Sequence, residues 1–191
     1  MAELSDVPGA GLPPFENFYL NLYFKIGSAF TSDQSSLNRF QNSTRDILRV
    51  VDENDLGVLG QQMLIPRLQG IEASSRDWSV LMTLAHLNQV NKDIMEVIRS
   101  LKSSSEPLQV VRIQDYKPSE DVGAEAIDQF REGNKRYWAF AKSHMPLRTD
   151  LTHRHPWFGE LDGHGWHFLA AIHQKVHLRQ IYKILAMIGV A

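Results

Sequence analysis

Apolar residues recur at helical spacing along most of the chain, and the breaks between these runs divide it into long rods. Phe15, Phe18, Tyr19, Leu22, Ile26 and Phe30 fall at one-turn intervals, and after the polar stretch 31–36 the period resumes with Leu37, Phe40, Ile47, Leu48 and Val51. Two helices or one bent helix satisfy this pattern. Gly57, Gly60, Pro66 and Gly70 then interrupt it, which predicts a long irregular connection over about 54–74. Ser74 with Asp77 three residues on has the form of a capping box, so a helix is expected to open just before Trp78 and run to about Leu101. On that helix Met82, His86, Val90, Ile94, Val97 and Leu101 share one side, with Lys92, Glu96 and Arg99 opposite. His86 is thereby directed towards the core.

Residues 103–119 are polar at the ends with a β-branched middle, and are long enough to cross a bundle from end to end. A third helix is predicted over about 120–143, with Val122, Ala126, Phe130, Tyr137, Phe140 and Ala141 on its core side and Gly133 weakening it. Pro146 ends it. A loop over 144–163 carries Thr152-His-Arg-His-Pro-Trp-Phe-Gly, with Trp157 and Phe158 expected as core plugs. The last helix should run over about 165–188: Trp166, Ala170, His173, His177, Ile181, Ile184 and Ile188 lie within roughly 80° of arc at about 100° per residue. His164 and His167 lie well off this stripe and are expected, with His144 and His153, at the surface or at a helix start. Four long amphipathic rods with one long crossover predict an all-α four-helix bundle with an extra N-terminal helix. Residues 1–14, rich in Pro and Gly, read as a flexible arm, and 15–191 as a single domain.

Composition narrows the chemistry. With 20 basic against 22 acidic side chains there is no surplus positive charge to hold a polyphosphate backbone, so nucleic acid is not an expected partner. No run approaches the ~20 apolar residues of a membrane span, and no basic leader precedes an apolar core, so the expectation is a cytoplasmic protein without a membrane partner. The absence of cysteine excludes thiolate nucleophiles and thiolate metal sites, leaving nitrogen and oxygen as metal ligands. Eight histidines supply the nitrogen.

His173-x-x-x-His177 places two imidazoles one turn apart on one face, a spacing that suits a divalent ion but is weak evidence alone. His86 adds a third inward ring from another helix. With only Asp93 at the edge of their stripe, three such rings are costly to bury unless a cation takes their lone pairs, or Ser79, Thr83, Gln180 or water satisfies them. Three neutral nitrogens would leave a position open, as catalytic sites do.

The run Asp77-Trp-Ser-Val-Leu-Met-Thr-Leu-Ala-His86-Leu, followed by His155-Pro-Trp-Phe-Gly-Glu-Leu and by Trp166-His-Phe-Leu-Ala-Ala-Ile-His173-Gln-Lys-Val-His177, resembles the DinB/YfiT-like superfamily. The resemblance covers roughly 37–188 and implies an up-down-down-up four-helix bundle holding a divalent ion, such as zinc, nickel, iron or manganese, on His86, His173 and His177. Relatives of that kind include thiol S-transferases that use bacillithiol or mycothiol and a mycothiol-dependent isomerase. It thus implies a transferase passing a low-molecular-weight thiol to a small electrophile. A metal-dependent hydrolase, or a non-catalytic metal-stabilised bundle binding a ligand or forming a dimer, are the alternatives. Candidates for a base or proton carrier are His155, Glu160 and Asp93, with Asp162 and Glu72 behind them. Arg67 and Trp157 are candidates for contact with a small-molecule substrate, as is Lys117, although solvated surface charge equally accounts for Arg67 and Lys117. Phe18, Tyr19, Tyr23 and Phe24 on the first helix either make a homodimer contact or pack on the bundle.

Overall fold

The computed structural model describes residues 9–104 and 111–190. Its elements are α1 (Pro14–Phe30), α2 (Asp33–Asp52), the short α3 (Leu56–Gly60), β1 (Met63–Leu64), β2 (Asp77–Trp78), α4 (Val80–Ser103), α5 (Glu125–His144), β3 (His153–His155), β4 (Gly159–Leu161) and α6 (Gly163–Ile188). Four long helices, α2, α4, α5 and α6, form the bundle. α6 packs on both α2 and α4, α4 packs on α5, and α2 touches α5 more lightly. The fold is all-α in class, as the periodicity predicts, with an extra helix at its N-terminal end.

The first two runs are separate helices, because Ser32 caps α2 by accepting from the Ser35 amide. Ser79 caps α4 in the same way through the Met82 amide, so the helix starts two residues later than the Ser74–Asp77 pattern suggests. Ser74 instead lies in a 3-10 turn and its hydroxyl donates to Glu72. Connection 54–74 holds more structure than its glycines suggest: α3 is capped by Asp55, and β1 pairs with β2. The loop before α6 contains a hairpin, with His153 opposite Leu161 and His155 opposite Gly159. Helix α5 begins at Glu125, later than expected, and tolerates Gly133 because a β-carbon there would collide with Asn88 of α4.

Within the bundle the apolar core is divided. One cluster gathers Leu37, Phe40, Ile94, Ile98, Tyr137 and Phe168, the other Ile47, Leu84, Leu87, Phe130, Ile181 and Ile184. Between them runs a buried polar layer: Gln174 Nε2 donates to Thr44 Oγ1 and Asn134 Oδ1, both at 2.7 Å. His173 and His177 leave α6 at this level, between Ala171 of the first cluster and Leu178 of the second.

Of the segment expected as a flexible arm, residues 1–8 lie outside the described residues, while Gly9 and Gly11 donate their amides to the Glu72 carboxylate at 3.1 and 2.9 Å. Helix α1 rests on α6 and the hairpin: Phe24 stacks on Phe158 at 4.5 Å and meets Phe168 edge-on at 5.2 Å. Of the four aromatics named for this helix only Phe24 packs on the bundle, whereas Phe18, Tyr19 and Tyr23 stay exposed. The crossover lies partly outside the described residues; its visible portion ends in a 3-10 turn, Ile113–Tyr116. Among the described residues no helix is long and apolar enough to cross a membrane.

Candidate metal centre

α4 and α6 pack along their length, and that contact sets His86 against His173 and His177. The Nε2 atoms of His86 and His173 are 3.2 Å apart and those of His177 and His173 are 3.0 Å apart. One ligand atom from each ring lies within 4.8 Å of the other two, so the three form a group that can hold a metal ion. The outward nitrogens are fixed from behind. His86 Nδ1 is 2.7 Å from the Tyr116 carbonyl, and His177 Nδ1 is 2.7 Å from Gln180 Oε1, whose own amide nitrogen donates to the Ser75 carbonyl at 2.7 Å. Trp78 lies parallel to His177, with ring centres 6.0 Å apart, and tilted against His86 at 5.0 Å.

The hydrogen bonds around the three rings bear on their fit to a cation. A carbonyl only accepts, so in the neutral rings the protons of His86 and His177 sit on Nδ1 and both Nε2 atoms are bare lone pairs. Both face His173 Nε2. A single proton there can satisfy one of them, and placing it there strips Nδ1 of His173, which is buried with no hydrogen-bond partner. Protonation offers no escape, since burial holds His86 down at about 4 against the help of the Tyr116 carbonyl. Burial, reinforced by the neighbouring imidazoles, likewise keeps His173 and His177 well below the ordinary histidine value. A divalent cation accepts all three lone pairs at once, with the proton of His173 on its unpartnered Nδ1; the three facing Nε2 atoms therefore fit a cation.

Above the rings lies a cavity of about 150 Å³, walled by Val90, Ile94, Leu169, Ile172 and Val176. His155, Asp93, Glu72, Lys117 and Trp157 also line it. His155 is buried, and burial pushes it down to about 3. Its Nδ1 accepts from the Trp157 and Phe158 amides at 3.1 and 3.3 Å, a geometry imposed by the hairpin turn. Asp93 pairs with the Tyr116 hydroxyl, and burial with that carboxylate raises the phenol.

Other candidates lie elsewhere. Glu160 is exposed on β4 and accepts from Thr152 Oγ1, and Asp162 caps α6 through the Gly165 amide, so neither reaches the rings. Arg67 is spent in an ion pair with Glu16 and does not line the cavity. Ser79 and Thr83, considered as partners for the histidines, serve α4 itself: the Thr83 hydroxyl donates to the Ser79 carbonyl.

His164 lies at the start of α6, one of the two places expected for it, but it is buried there, and so is His167 a turn further on, against the surface alternative. The first third of α6, from Gly163 to Ala171, is enclosed on every side, so no face of it is a surface. The Tyr116 carbonyl has no signature in sequence, because it belongs to a turn placed only by the crossover's path.

No protein-family model matches the chain and no curated protein does. Among solved structures it is similar to TT2238, described as a four-helix bundle protein, at 24% identity and a TM-score of 0.50, with 79% of this chain matched to 98% of that one. The likeness shows the fold. Fold and side chains together define a four-helix bundle protein with a three-histidine cluster suited to a divalent ion.

Proposed function

We propose that this protein is a divalent-metal-dependent enzyme that passes a low-molecular-weight thiol to a small electrophile. The observation that carries the reading is the convergence of three imidazole lone pairs with no carboxylate among them and with two of the rings locked by acceptors on their far sides. A divalent ion bound there lowers the pKa of a coordinated thiol and so supplies a sulfur nucleophile at neutral pH. The chain, which has no cysteine, contributes no competing thiol. Tyr116 and Gln180 keep the ligand rings in one tautomer, and the apolar walls hold water away from the reacting pair. Of the two carboxylates on the wall, Glu72 is engaged by Gly9, Gly11 and Ser74, whereas Asp93 holds only the Tyr116 hydroxyl and has lone pairs left to accept the thiol proton.

The test begins with untagged protein and elemental analysis. About one equivalent of a divalent metal per chain is expected, removable by chelation and restored on addition of zinc, nickel, iron or manganese. Conjugation of a small thiol to an electrophilic arene should disappear with the metal and in His177→Ala, with the helical circular dichroism unchanged. A chain that neither carries nor rebinds metal overturns the reading; one that binds metal yet conjugates no thiol is left as a metal-stabilised bundle.

A further inference from the structure

The cavity over the histidines restricts what can enter it. Glu72 already receives two amides and a hydroxyl, and Asp93 takes the Tyr116 hydroxyl. His155 differs, because its Nδ1 is committed as an acceptor to two backbone amides. Its one proton is therefore on Nε2, for which no described residue serves as acceptor. With a dication on three neutral rings, and Lys117 set against the carboxylates of Glu72 and Asp93, the lining keeps one net positive charge, and an anion is its complement. The volume of about 150 Å³ sets the scale, since an apolar cavity of roughly that size takes one benzene ring.

We propose that the cavity binds a compact apolar monoanion, about one aromatic ring in size, whose anionic atom sits between the three-histidine centre and the Nε2–H of His155. This rests on the metal reading of the same site. A thiolate and a carboxylate share the required chemistry. The test uses protein loaded with Co²⁺, whose visible bands report coordination, titrated with thiophenolate, benzoate and their naphthyl counterparts. Saturable spectral change is expected with at least one ring-sized anion, and at least tenfold weaker binding for the naphthyl forms. Response to thiophenolate alone identifies a thiol ligand, to benzoate alone a carboxylate. His155→Phe should weaken the ring-sized anion at least tenfold while leaving Co²⁺ affinity unchanged, and His155→Gln, which again offers a donor, should recover part of it. Bound Co²⁺ with a spectrum indifferent to these anions, equal binding of the naphthyl forms, or full affinity in His155→Phe overturns the inference alone. Failure to bind Co²⁺ at all overturns the metal reading beneath it.

A separate observation carries a second inference. Phe15, Tyr19, Leu22 and Ile26 repeat at intervals of four, three and four along α1, flanked by Phe18, Tyr23 and Phe30, and all seven are 47–88% exposed. They occupy about 140° of arc. The opposite side of the helix is already used, with Phe24 on Phe158 and Asn21 Nδ2 on the Trp157 carbonyl. No charge lies within the stripe, which argues against an anionic lipid surface. The five rings, at their observed exposure and ~200 Å² each, offer about 700 Å², close to the ~800 Å² per partner of a stable interface. The spacing is that of a helix–helix seam. We infer that two copies of the chain associate through α1 about a two-fold axis. Sedimentation at micromolar concentration should give a dimer, and Tyr19→Lys with Ile26→Lys a monomer of unchanged helicity. A wild-type monomer, including one that floats with lipid vesicles, or a dimer that survives the double substitution overturns this.

Discussion

The protein buries two sets of imidazoles and treats them in opposite ways. Where α1 turns into α2, His164 Nδ1 lies 2.6 Å from Asp33 Oδ1 and its Nε2 lies 2.8 Å from the Ser28 carbonyl; His167 Nε2 meets the Asp33 carbonyl at 3.1 Å and its Nδ1 meets Tyr137 Oη at 2.9 Å. Every ring nitrogen there has a partner, and the set is closed. In the cavity, by contrast, nitrogens face nitrogens. Both sets are enclosed and both draw on α6, so neither property separates a structural histidine from a ligand. What separates them is whether lone pairs are matched by protons, and Asp33 makes that difference at one site while no carboxylate makes it at the other.

The strongest way to break this contrast is to remove the ring that both others face. His173→Ala should lower divalent affinity by at least ~100-fold, since it leaves two imidazoles to hold the ion. Competition against a chromophoric chelator measures it. His167→Phe, equally buried and on the same helix, should leave metal stoichiometry as it was. Equal losses in both variants would dissolve the distinction between the sets.

Next in size is the closed set. Asp33 accepts from His164 and, at 2.8 Å, from the Leu147 amide, so Asp33→Asn removes a charge-assisted hydrogen bond and should cost about 2–3 kcal/mol in chemical denaturation. The pH dependence of that cost has a definite sign. The hydrogen bond to Asp33 raises His164 in spite of its burial, so its contribution is complete below the unfolded histidine value of about 6.5 and fades as pH rises through the folded value. Burial pushes the Asp33 carboxyl up, yet the bonds from His164 and Leu147 outweigh it and leave the group lowered. Its contribution is complete above about 3.9 and fades as pH falls through the folded value. The difference between wild type and Asp33→Asn should therefore be greatest between about pH 4 and 6.5. His155 and His167, held by burial at about 3 and about 4, act in the other sense, neutral in the fold and protonated when unfolded. They should make the melting temperature of both proteins fall as pH drops below about 6.5.

How much of this is legible in sequence depends on the distance over which partners are found. The stripe Trp166, Ala170, His173, His177, Ile181 gives α6 and the direction of two rings at once, and His86 among Met82, Val90 and Ile94 gives the third, because a one-turn period is a local property. The closed set is not legible this way. His164 finds its partner 131 residues earlier, at the first residue of α2, and α6 lies buried on all sides at that point. The hairpin over 153–161 is missed because its strands are three residues long, too short for an alternating pattern. The period of α1 marks it as a helix, but the side that meets the bundle carries Gly27, where a β-carbon would strike Phe168, and a glycine adds nothing to an apolar stripe.

The smallest effect sharpens the contrast most, because it leaves all three ligand rings in place. Gln180 is fully buried, and its Oε1 holds the proton of His177 on Nδ1 while its Nε2 is tied to the Ser75 carbonyl. Gln180→Leu keeps the volume and removes the acceptor. His177 is then free to place its proton on Nε2, where it hydrogen-bonds to His173 Nε2 and turns the facing lone pairs into an ordinary donor–acceptor pair. The open set thereby becomes more like the closed one. Divalent affinity should fall by about tenfold, the low end for partners that orient a ligand histidine, while Ser75 loses one bonded donor and stability changes little. Gln180→Glu keeps an acceptor, and strengthens it by its charge, at the expense of the donor to Ser75; its affinity should match or exceed that of the wild type. If the two variants bind metal equally, the proton on His177 is set by something other than residue 180.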